Sequence, residues 1–266
     1  MNPEIRSALW LSVEVAVAAT ALNAAVGIPL AYALARRRFH GRGLVDLVVT
    51  LPLILPPTVT GYYLIVLLGR RGVLGAPLYT LSGWTIAFTP YAAVIAATVM
   101  ALPLLVRTAR AAIESVDRDL ERASLTLGRS EWRTALEVTL PLARNGILAG
   151  LVLAFARALG EFGATLMLAG NIPGKTATMP LAIYTAVQTG ESDEALVLVG
   201  LLTALSCLVL VAAGRLGARA QGARVHPPAI SRCRWSSDCP RSPSRSTGKG
   251  ETRSWHSSGP PEPARP

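Results

Sequence analysis

Five long apolar runs constrain what this chain can fold into. Each run holds about 20 or more residues, the length that a helix needs to cross the hydrocarbon core of a bilayer. A backbone segment in lipid must satisfy its own hydrogen bonds, which a helix does and an open strand does not. The sequence therefore predicts an all-α integral membrane protein with about five transmembrane helices. The predicted spans are 8–35, 44–68, 84–106, 146–170 and 194–216.

The arginines between the runs predict the orientation. One set of segments holds four arginines in 36–42, seven in 107–145 and more after residue 216. The segments on the opposite side hold only Arg6, Arg70, Arg71 and Lys175. Loops rich in Lys and Arg stay in the cytoplasm, so we expect the N-terminus outside and the C-terminus in the cytoplasm of a multi-pass cell (inner) membrane protein. The net charge of +10 then reflects topology, together with the tail, and no nucleic-acid partner is expected.

The composition changes near residue 221. The tail 222–266 is rich in Pro, Ser, Gly and Arg, with eight Lys or Arg residues against three acidic residues. It shows no periodicity, so we predict that it is disordered and favour a tail without function. A basic segment that lies on the membrane surface and an out-of-frame translation product are the alternatives. Residues 1–221 form the predicted transmembrane domain.

The sequence lacks the motifs of an enzyme. No GxxxxGK[ST] loop is present, so the chain is not expected to bind ATP in that manner. The three histidines are scattered, and the three cysteines show no metal-ligand spacing. We therefore expect no catalytic residue, no metal site and no cofactor bound by this chain.

A polar, helix-prone stretch, Glu121–Pro141, interrupts the apolar pattern. Its charges alternate in sign, and Gly128 divides it, which predicts two short helices that meet at a glycine turn. The predicted topology places it in a cytoplasmic loop, 107–145. A folded projection outside the bilayer needs a partner to cover it; the alternative is an ordinary amphipathic surface helix pair.

Prolines in the second run predict a break in its helix. Pro52, Pro56 and Pro57 cannot donate backbone hydrogen bonds, and hydroxyl groups follow at Thr58 and Thr60. Such a break is tolerated where protein or a polar cavity satisfies the freed carbonyl groups. The segment is therefore either a structural kink or part of the wall of a translocation path.

The fourth run contains two charged residues. Arg157 and Glu161 are four residues apart, close enough to form an ion pair on one helix face, and Gly160 and Gly163 allow close backbone approach. Charges inside a membrane are costly, so the pair should face the bundle interior, another subunit or water. We favour helix packing or subunit contact for this pair; the alternative is that it tunes the electric field in a translocation path.

The polar stretch resembles the coupling-loop signature of ABC-importer permeases, Glu-Ala-Ala-x3-Gly-x9-Ile-x-Leu-Pro. The spacing from glycine to proline fits, with valine in place of isoleucine. The sequence departs at the first element, where Arg-Ala-Ser at 122–124 replaces Glu-Ala-Ala and a glutamate lies one residue earlier. The residues that the resemblance assigns to ATPase coupling are Glu121, Arg122, Ala123, Ser124, Gly128, Val138, Leu140 and Pro141.

Two further stretches narrow the resemblance. Residues 155–184, FARALGEFGATLMLAGNIPGKTATMPLAIY, and residues 51–75 resemble molybdate, tungstate and sulfate permeases. The run GATLMLAGNIPGKT followed by Pro-Leu-Ala-Ile-Tyr is more similar to the molybdate permeases. The resemblance implies a type I ABC-importer permease fold for 1–221 and import of molybdate or tungstate. A sulfate or thiosulfate importer is the alternative, and a secondary transporter or a membrane scaffold is less favoured.

The resemblance also implies partners and a mechanism. It implies a homodimer of this chain, two cytoplasmic ATPase subunits that carry ATP and Mg²⁺, and an extracytoplasmic molybdate-binding protein. The chain has no ATPase site of its own, and the complex would hydrolyse ATP through its partners. The residues expected to line a translocation path or gate are Pro56, Pro57, Thr58, Thr60, Arg157, Gly160, Glu161 and Gly163.

Overall fold

A computed structural model describes residues 3–222, and all regular structure within that range is helical. Among the described residues, four helices are long and apolar enough to cross a membrane. These are Glu4–Arg36, Pro90–Glu114, Glu131–Leu159 and Ser192–Val211. The predicted all-α class is therefore confirmed. The predicted tail lies outside the described residues apart from Gly222.

The helices follow one another with short connections. A π-helical turn, Ala135–Thr139, joins the helix Glu131–Thr134 to the helix Leu140–Leu159 without a gap. The helices are α1 (Pro3–Arg36), α2 (Arg42–Ile54), α3 (Pro57–Leu68), α4 (Gly75–Ser82), α5 (Pro90–Glu114), α6 (Arg118–Thr126), α7 (Glu131–Thr134), α8 (Leu140–Leu159), α9 (Gly163–Ala169), α10 (Met179–Thr189) and α11 (Ser192–Gly222).

Helix α5 lies at the centre of the packing, with α1 and α8 against it. Its buried face is dominated by alanines that are fully inaccessible, including Ala92, Ala96 and Ala101. Small side chains let membrane helices approach closely, so that dispersion contacts hold them together where no hydrophobic effect operates. Gly150 of α8 extends this pattern, because a Cβ atom there would lie 3.1 Å from Leu105 Cδ1.

The second predicted span breaks where its prolines indicated. Helix α2 ends at Ile54, and Leu55 and Pro56 are extended, with ψ angles of 144° and 138°. A residue that precedes proline is driven towards extended backbone, and both of these residues precede one. Pro57 then occupies the first turn of α3, where its missing N–H costs nothing.

The fourth predicted span, 146–170, differs from the structure. Helix α8 begins earlier, at Leu140, and ends at Leu159, so the charged pair of this span lies at a helix end. Three residues without helical structure, 160–162, precede the short helix α9. The apolar run continues through this gap, and its periodicity therefore gave no sign of the break.

Other predicted boundaries also need correction. The segment 69–83, predicted as a loop, contains α4. The span 84–106 begins as a helix only at Pro90, capped by the Thr89 hydroxyl, and continues to Glu114. The coupling loop, predicted as 107–145, is shorter because α5 extends into its start and α8 begins before its end. Hydropathy marks where a chain can enter lipid, whereas these helices extend past that boundary.

A second, smaller cluster of buried apolar residues lies near the start of α1. The short helix α10, Met179–Thr189, lies between the fourth and fifth predicted spans. Its first backbone N–H, at Met179, donates to the Ser12 hydroxyl of α1 over 2.7 Å. Met179 also packs with Ile5 and Leu198, which joins α10 to α1 and α11.

Candidate functional site

The polar stretch folds as the two short helices that its sequence predicts. Asp117 caps α6 by accepting from the backbone N–H of Asp119 at 2.9 Å, and Ser130 caps α7. Gly128 between them has a φ angle of 80°, a left-handed conformation that glycine adopts without a steric penalty. We call α6, α7 and their connection, 118–134, the coupling helices.

An arginine at the end of α1 anchors the coupling helices to the bundle. Arg36 donates through Nη2 to the carbonyl oxygens of Ile113 (2.9 Å) and Val116 (2.8 Å) at the end of α5. Val116 follows the end of α5, and its N–H also donates to the Ile113 carbonyl over 3.2 Å. A cation at a helix C-terminus suits the helix dipole. Arg36 Nε lies 3.0 Å from Glu121 Oε1 of α6, with side-chain exposures of 8% and 15%.

Glu121 therefore points inward, towards the bundle. The same Oε1 atom accepts from the Thr139 hydroxyl at 2.7 Å, which joins α6 to the π-helical turn. One carboxylate thus connects α1, α6 and the start of α8. The sequence could not show this, because the arginine lies 85 positions before the glutamate.

The other predicted coupling residues divide between buried and exposed positions. Ser124 is buried and shares a hydrogen bond of 3.0 Å with the Thr134 hydroxyl, which closes α6 onto α7. Val138, in the π-helical turn, and Leu140, the first residue of α8, are half-buried. The exposed members of the set are Arg122, Ala123, Gly128 and Pro141.

The coupling helices also expose large apolar side chains that were not among the predicted site residues. Leu127 is 81% exposed and Trp132 is 64% exposed, on either side of the glycine turn. Leu120 and Leu125 are exposed as well, as is Leu136 in the π-helical turn that follows. Exposed apolar side chains grouped in a polar segment are typical of surfaces that bind another protein. The recurring leucines in the sequence carried this signal.

The two breaks in the apolar helices lie against each other. A Cβ atom on Gly163, at the start of α9, would lie 2.9 Å from Pro57 Cβ and 3.3 Å from the Thr58 nitrogen. A Cβ atom on Gly61 of α3 would lie 2.8 Å from both the Ala164 Cα and the Met167 Cβ. Helices α3 and α9 therefore pack backbone to backbone, which only glycine permits. The structure thus brings Pro57, Thr58 and Gly163 together.

The remaining predicted path residues surround this contact unevenly. Pro56 and Gly160 are exposed at the two breaks. Thr60 is buried, and its hydroxyl has no hydrogen-bond partner among the described residues.

The charged pair stabilises the second break. Arg157 Nη1 donates to Glu161 Oε2 at 2.6 Å, while Glu161 Oε1 accepts from the backbone N–H of Ala164 at 2.8 Å. The glutamate thus satisfies a free N–H group at the start of α9 and offsets the arginine charge. The Glu161 side chain is 2% exposed and that of Arg157 is 27% exposed, so the arginine keeps contact with the surroundings.

Comparison with known proteins places this architecture in a family. Residues 27–221 match the family described as the binding-protein-dependent transport system inner membrane component. The chain belongs to this family. The matched residues include both helix breaks and the coupling helices.

Relatives of this inner membrane component include several molybdenum permeases. The molybdenum transport system permease protein ModB of Escherichia coli (strain K12) is 50% identical over 196 residues, 73% of this chain and 85% of that protein. The ModB protein of Haemophilus influenzae is 47% identical over 71% of this chain and 82% of that protein. The putative molybdenum transport system permease protein YvgM of Bacillus subtilis (strain 168) is 39% identical over 75% and 88%.

Solved structures confirm the predicted type I ABC-importer permease fold. A chain of a bacterial alginate ABC transporter, in complex with a pentasaccharide-bound periplasmic protein, superimposes with a TM-score of 0.66 at 16% identity, covering 82% of this chain and 80% of that chain. A chain of the inward-facing MetNI methionine ABC transporter gives a TM-score of 0.63 at 17% identity, covering 82% and 99%. At this identity the likeness establishes the fold of the inner membrane component.

Proposed function

We propose that this chain is the membrane permease subunit of an ATP-driven importer for molybdate, with tungstate as a second substrate. The observation that carries the substrate is the 50% identity to a molybdenum transport permease over 85% of that protein's length. The Arg157 to Tyr184 region, which resembles molybdate permeases in sequence, contains the second helix break and the charged pair.

The coupling helices would bind a separate ATPase. Their exposed apolar side chains would form the surface for a protein partner, and Leu127 is the most exposed of them. Their inner side is fixed to α1, α5 and α8 through Arg36, Glu121 and Thr139. A movement imposed on the coupling helices therefore reaches the membrane helices through defined contacts. ATP and Mg²⁺ would bind the ATPase subunits, and no cofactor would bind this chain.

Transport would follow alternating access in a homodimer. Five predicted crossings are few to enclose a path, and two copies would share its wall. The partly exposed guanidinium of Arg157, offset by Glu161, provides a weak positive field that suits a dianion which must also leave. Closure of the ATPases would move the two copies between inward-facing and outward-facing states.

The arginine distribution supports one orientation. Arg36, Arg42 and the coupling helices lie at the same end of α1, α2 and α5, where arginines are concentrated. By the positive-inside tendency this end would be cytoplasmic, with the N-terminus of α1 outside. An extracytoplasmic binding protein would then deliver the oxyanion at the opposite end, near α10.

The test is ATPase activity of the reconstituted complex of permease, ATPase and binding protein. Molybdate, tungstate and sulfate are titrated separately. Stimulation by molybdate and tungstate at concentrations where sulfate has no effect is the expected result. Complexes without the binding protein serve as the control, because stimulation should require delivery of the substrate.

Two results would contradict the proposal in different ways. Stimulation by sulfate alone would keep the importer and replace its substrate. Failure of any ATPase subunit to co-purify with the chain would instead remove the importer mechanism, in favour of a secondary transporter or a scaffold.

A further inference from the structure

A basic cleft lies where α1, α2, α5 and α6 meet. Its volume is about 440 Å³, which falls within the range of small-ligand pockets, about 300–1,000 Å³. Four arginines and one glutamate contribute to its lining: Arg36, Arg38, Arg42, Arg118 and Glu114. A second cleft of about 250 Å³ shares Arg36 and Arg118 with the first. It adds Arg37 and Arg122 together with two carboxylates, Glu121 and Glu131, so the excess of positive charge is greatest in the first cleft.

Two of these arginines have no counter-charge. The Arg36 guanidinium is paired with Glu121. Arg42 lies 3.8 Å from Glu114, a carboxylate that Arg110 also contacts at 2.9 Å. The side chains of Arg38 and Arg118 form no ion pair or hydrogen bond with any residue that the structure describes. The cleft therefore has an excess of positive charge on guanidinium groups, which match the geometry of phosphate oxygens.

The surroundings of the cleft distinguish a lipid from a free anion. The cleft lies at the ends of the membrane-spanning helices α1 and α5, so it is at the level of the lipid head groups. Helix α2 runs from Arg42 into the membrane with an exposed apolar surface at Leu44, Leu47 and Val48. A bound molecule would meet arginines at one end and apolar side chains at the other. This is the pattern of a phospholipid.

We propose that this cleft binds the head group of an anionic phospholipid, with a phosphate oxygen set between Arg38 and Arg118. The acyl chains would lie along the exposed surface of α2. The cleft contains none of the predicted translocation-path residues. It shares Arg118 with the coupling helices, whereas Arg38 lies outside them. A free tetrahedral oxyanion shares the same binding chemistry, and an acidic side chain of a partner protein is the other candidate.

The test measures lipid binding to the full chain purified in a neutral detergent. Dioleoyl phosphatidylglycerol and dioleoyl phosphatidylcholine are titrated separately, and bound lipid is counted by native mass spectrometry. Phosphatidylglycerol should bind saturably and phosphatidylcholine should not. The variant Arg38→Gln/Arg118→Gln should bind phosphatidylglycerol about 30-fold more weakly, as expected for two arginines at a membrane surface.

A matched control is Arg107→Gln/Arg144→Gln. Both of these arginines are exposed, neither has a described ion pair, and neither lines the two clefts. This control should keep the wild-type affinity. The single variant Arg38→Gln lies outside any helix, so it removes one charge without altering the helix packing and should lose about fivefold in affinity.

Several results would overturn the proposal. Equal loss in the control, unchanged binding in both cleft variants or equal binding of phosphatidylcholine would exclude a specific lipid site. Displacement of the lipid by millimolar molybdate or inorganic phosphate would reassign the cleft to a free anion. Loss of ATPase co-purification with unchanged lipid binding would reassign it to a protein contact. These outcomes do not depend on the importer's substrate.

Discussion

At the level of single residues, Glu161 has two separable tasks. Its carboxylate caps α9 at Ala164 and offsets the charge of Arg157. Glu161→Gln keeps an oxygen that can accept from the Ala164 N–H but leaves the arginine charge uncompensated. We expect the free energy of unfolding in detergent to fall by about 1–3 kcal/mol and the transport rate to fall while the ATPase still co-purifies.

The double variant Arg157→Gln/Glu161→Gln is the control for this prediction. It removes both charges, so it should recover most of the lost stability while transport stays low if the field of the arginine matters. Dissociation of the dimer in Glu161→Gln would instead assign the pair to subunit contact.

Glu121 provides a second prediction at this scale. Glu121→Gln keeps an acceptor for the Thr139 hydroxyl but loses the ion pair with the mostly buried Arg36. The free energy of unfolding should fall by about 1–3 kcal/mol, and stimulation of the ATPase by substrate should weaken. Both are measured on the same preparation, by thermal unfolding and by phosphate release.

Arg122→Gln is the matched control for Glu121→Gln. Its ion pair with Asp119 is exposed on both sides, so its removal should change the free energy of unfolding by less than about 0.5 kcal/mol. A loss as large as that of Glu121→Gln would show that the inward ion pair is not what anchors α6.

The sequence predicted which residues belong to the site more readily than it predicted which side chains they contact. The Arg157–Glu161 pair was predicted from its four-residue spacing, and the ion pair forms although Glu161 follows the end of α8. The partner of Glu121 was not, since Arg36 belongs to another helix and only packing brings it near. A coupling signature marks which residues matter to a loop, and does not say whether each one faces a partner or the bundle.

At the level of helices, the contact between α3 and α9 depends on glycine. Gly61→Ala would place a methyl group 2.8 Å from the Ala164 backbone, closer than packing allows. The free energy of unfolding should fall by about 1–3 kcal/mol, as for other overpacked positions. Thermal unfolding of the purified chain measures the change.

Gly200→Ala on α11 is the control for this prediction. A Cβ atom there has no neighbour within 4 Å, and alanine favours a helix over glycine. This variant should be neutral or slightly more stable. Equal destabilisation by both variants would mean that close packing at Gly61 is not the cause.

The two helix breaks differed in how far the sequence revealed them. Consecutive prolines predict the first break, because proline restricts the backbone of the residue before it. The second depends on the Glu161 carboxylate capping a new helix inside a run that remains apolar throughout. Patterns of hydropathy respond to the membrane and not to a single buried cap, so the predicted span ran through the break.

At the level of the whole molecule, assembly with an ATPase should depend on the exposed apolar side chains of the coupling helices. Leu127→Ser and Trp132→Ala should each reduce co-purification of the ATPase about tenfold, the effect of one well-packed anchor residue. Both side chains are mostly exposed, so the melting temperature of the isolated chain should stay unchanged. Quantified pull-down of the ATPase measures the loss.

Leu81→Ser is the matched control for assembly. Leu81 is 89% exposed on α4. Helix α4 follows α3 in the chain and is not part of the coupling helices. Its replacement should leave ATPase binding as it is. Retained binding in both coupling-helix variants would move the ATPase contact to another surface.

The overall architecture could be predicted from the sequence because few folds suit a lipid environment. Apolar runs separated by arginine-rich segments define the helices and their order. The spacing from Gly128 to Pro141 resembles the signature of one protein family. The match over residues 27–221 confirms that resemblance. Homodimer geometry is a property of two chains, and no pattern within one chain determines it.

Helices α3 and α9 form a packed pair with a non-helical connection on each side that could act as a hinge. Each is joined to its preceding helix by residues without regular helical backbone, at Leu55–Pro56 and at 160–162. They are fastened to each other through Gly61 and Gly163. If α2 and α8 tilt, α3 and α9 would rotate together as one unit. The backbone dihedral angles of the two connections would absorb this rotation. Helix α9 also packs against α5, and its Ala164, Leu168 and Ala169 are buried in the alanine-rich interior. The two helices would therefore have to slide along α5 as they turn.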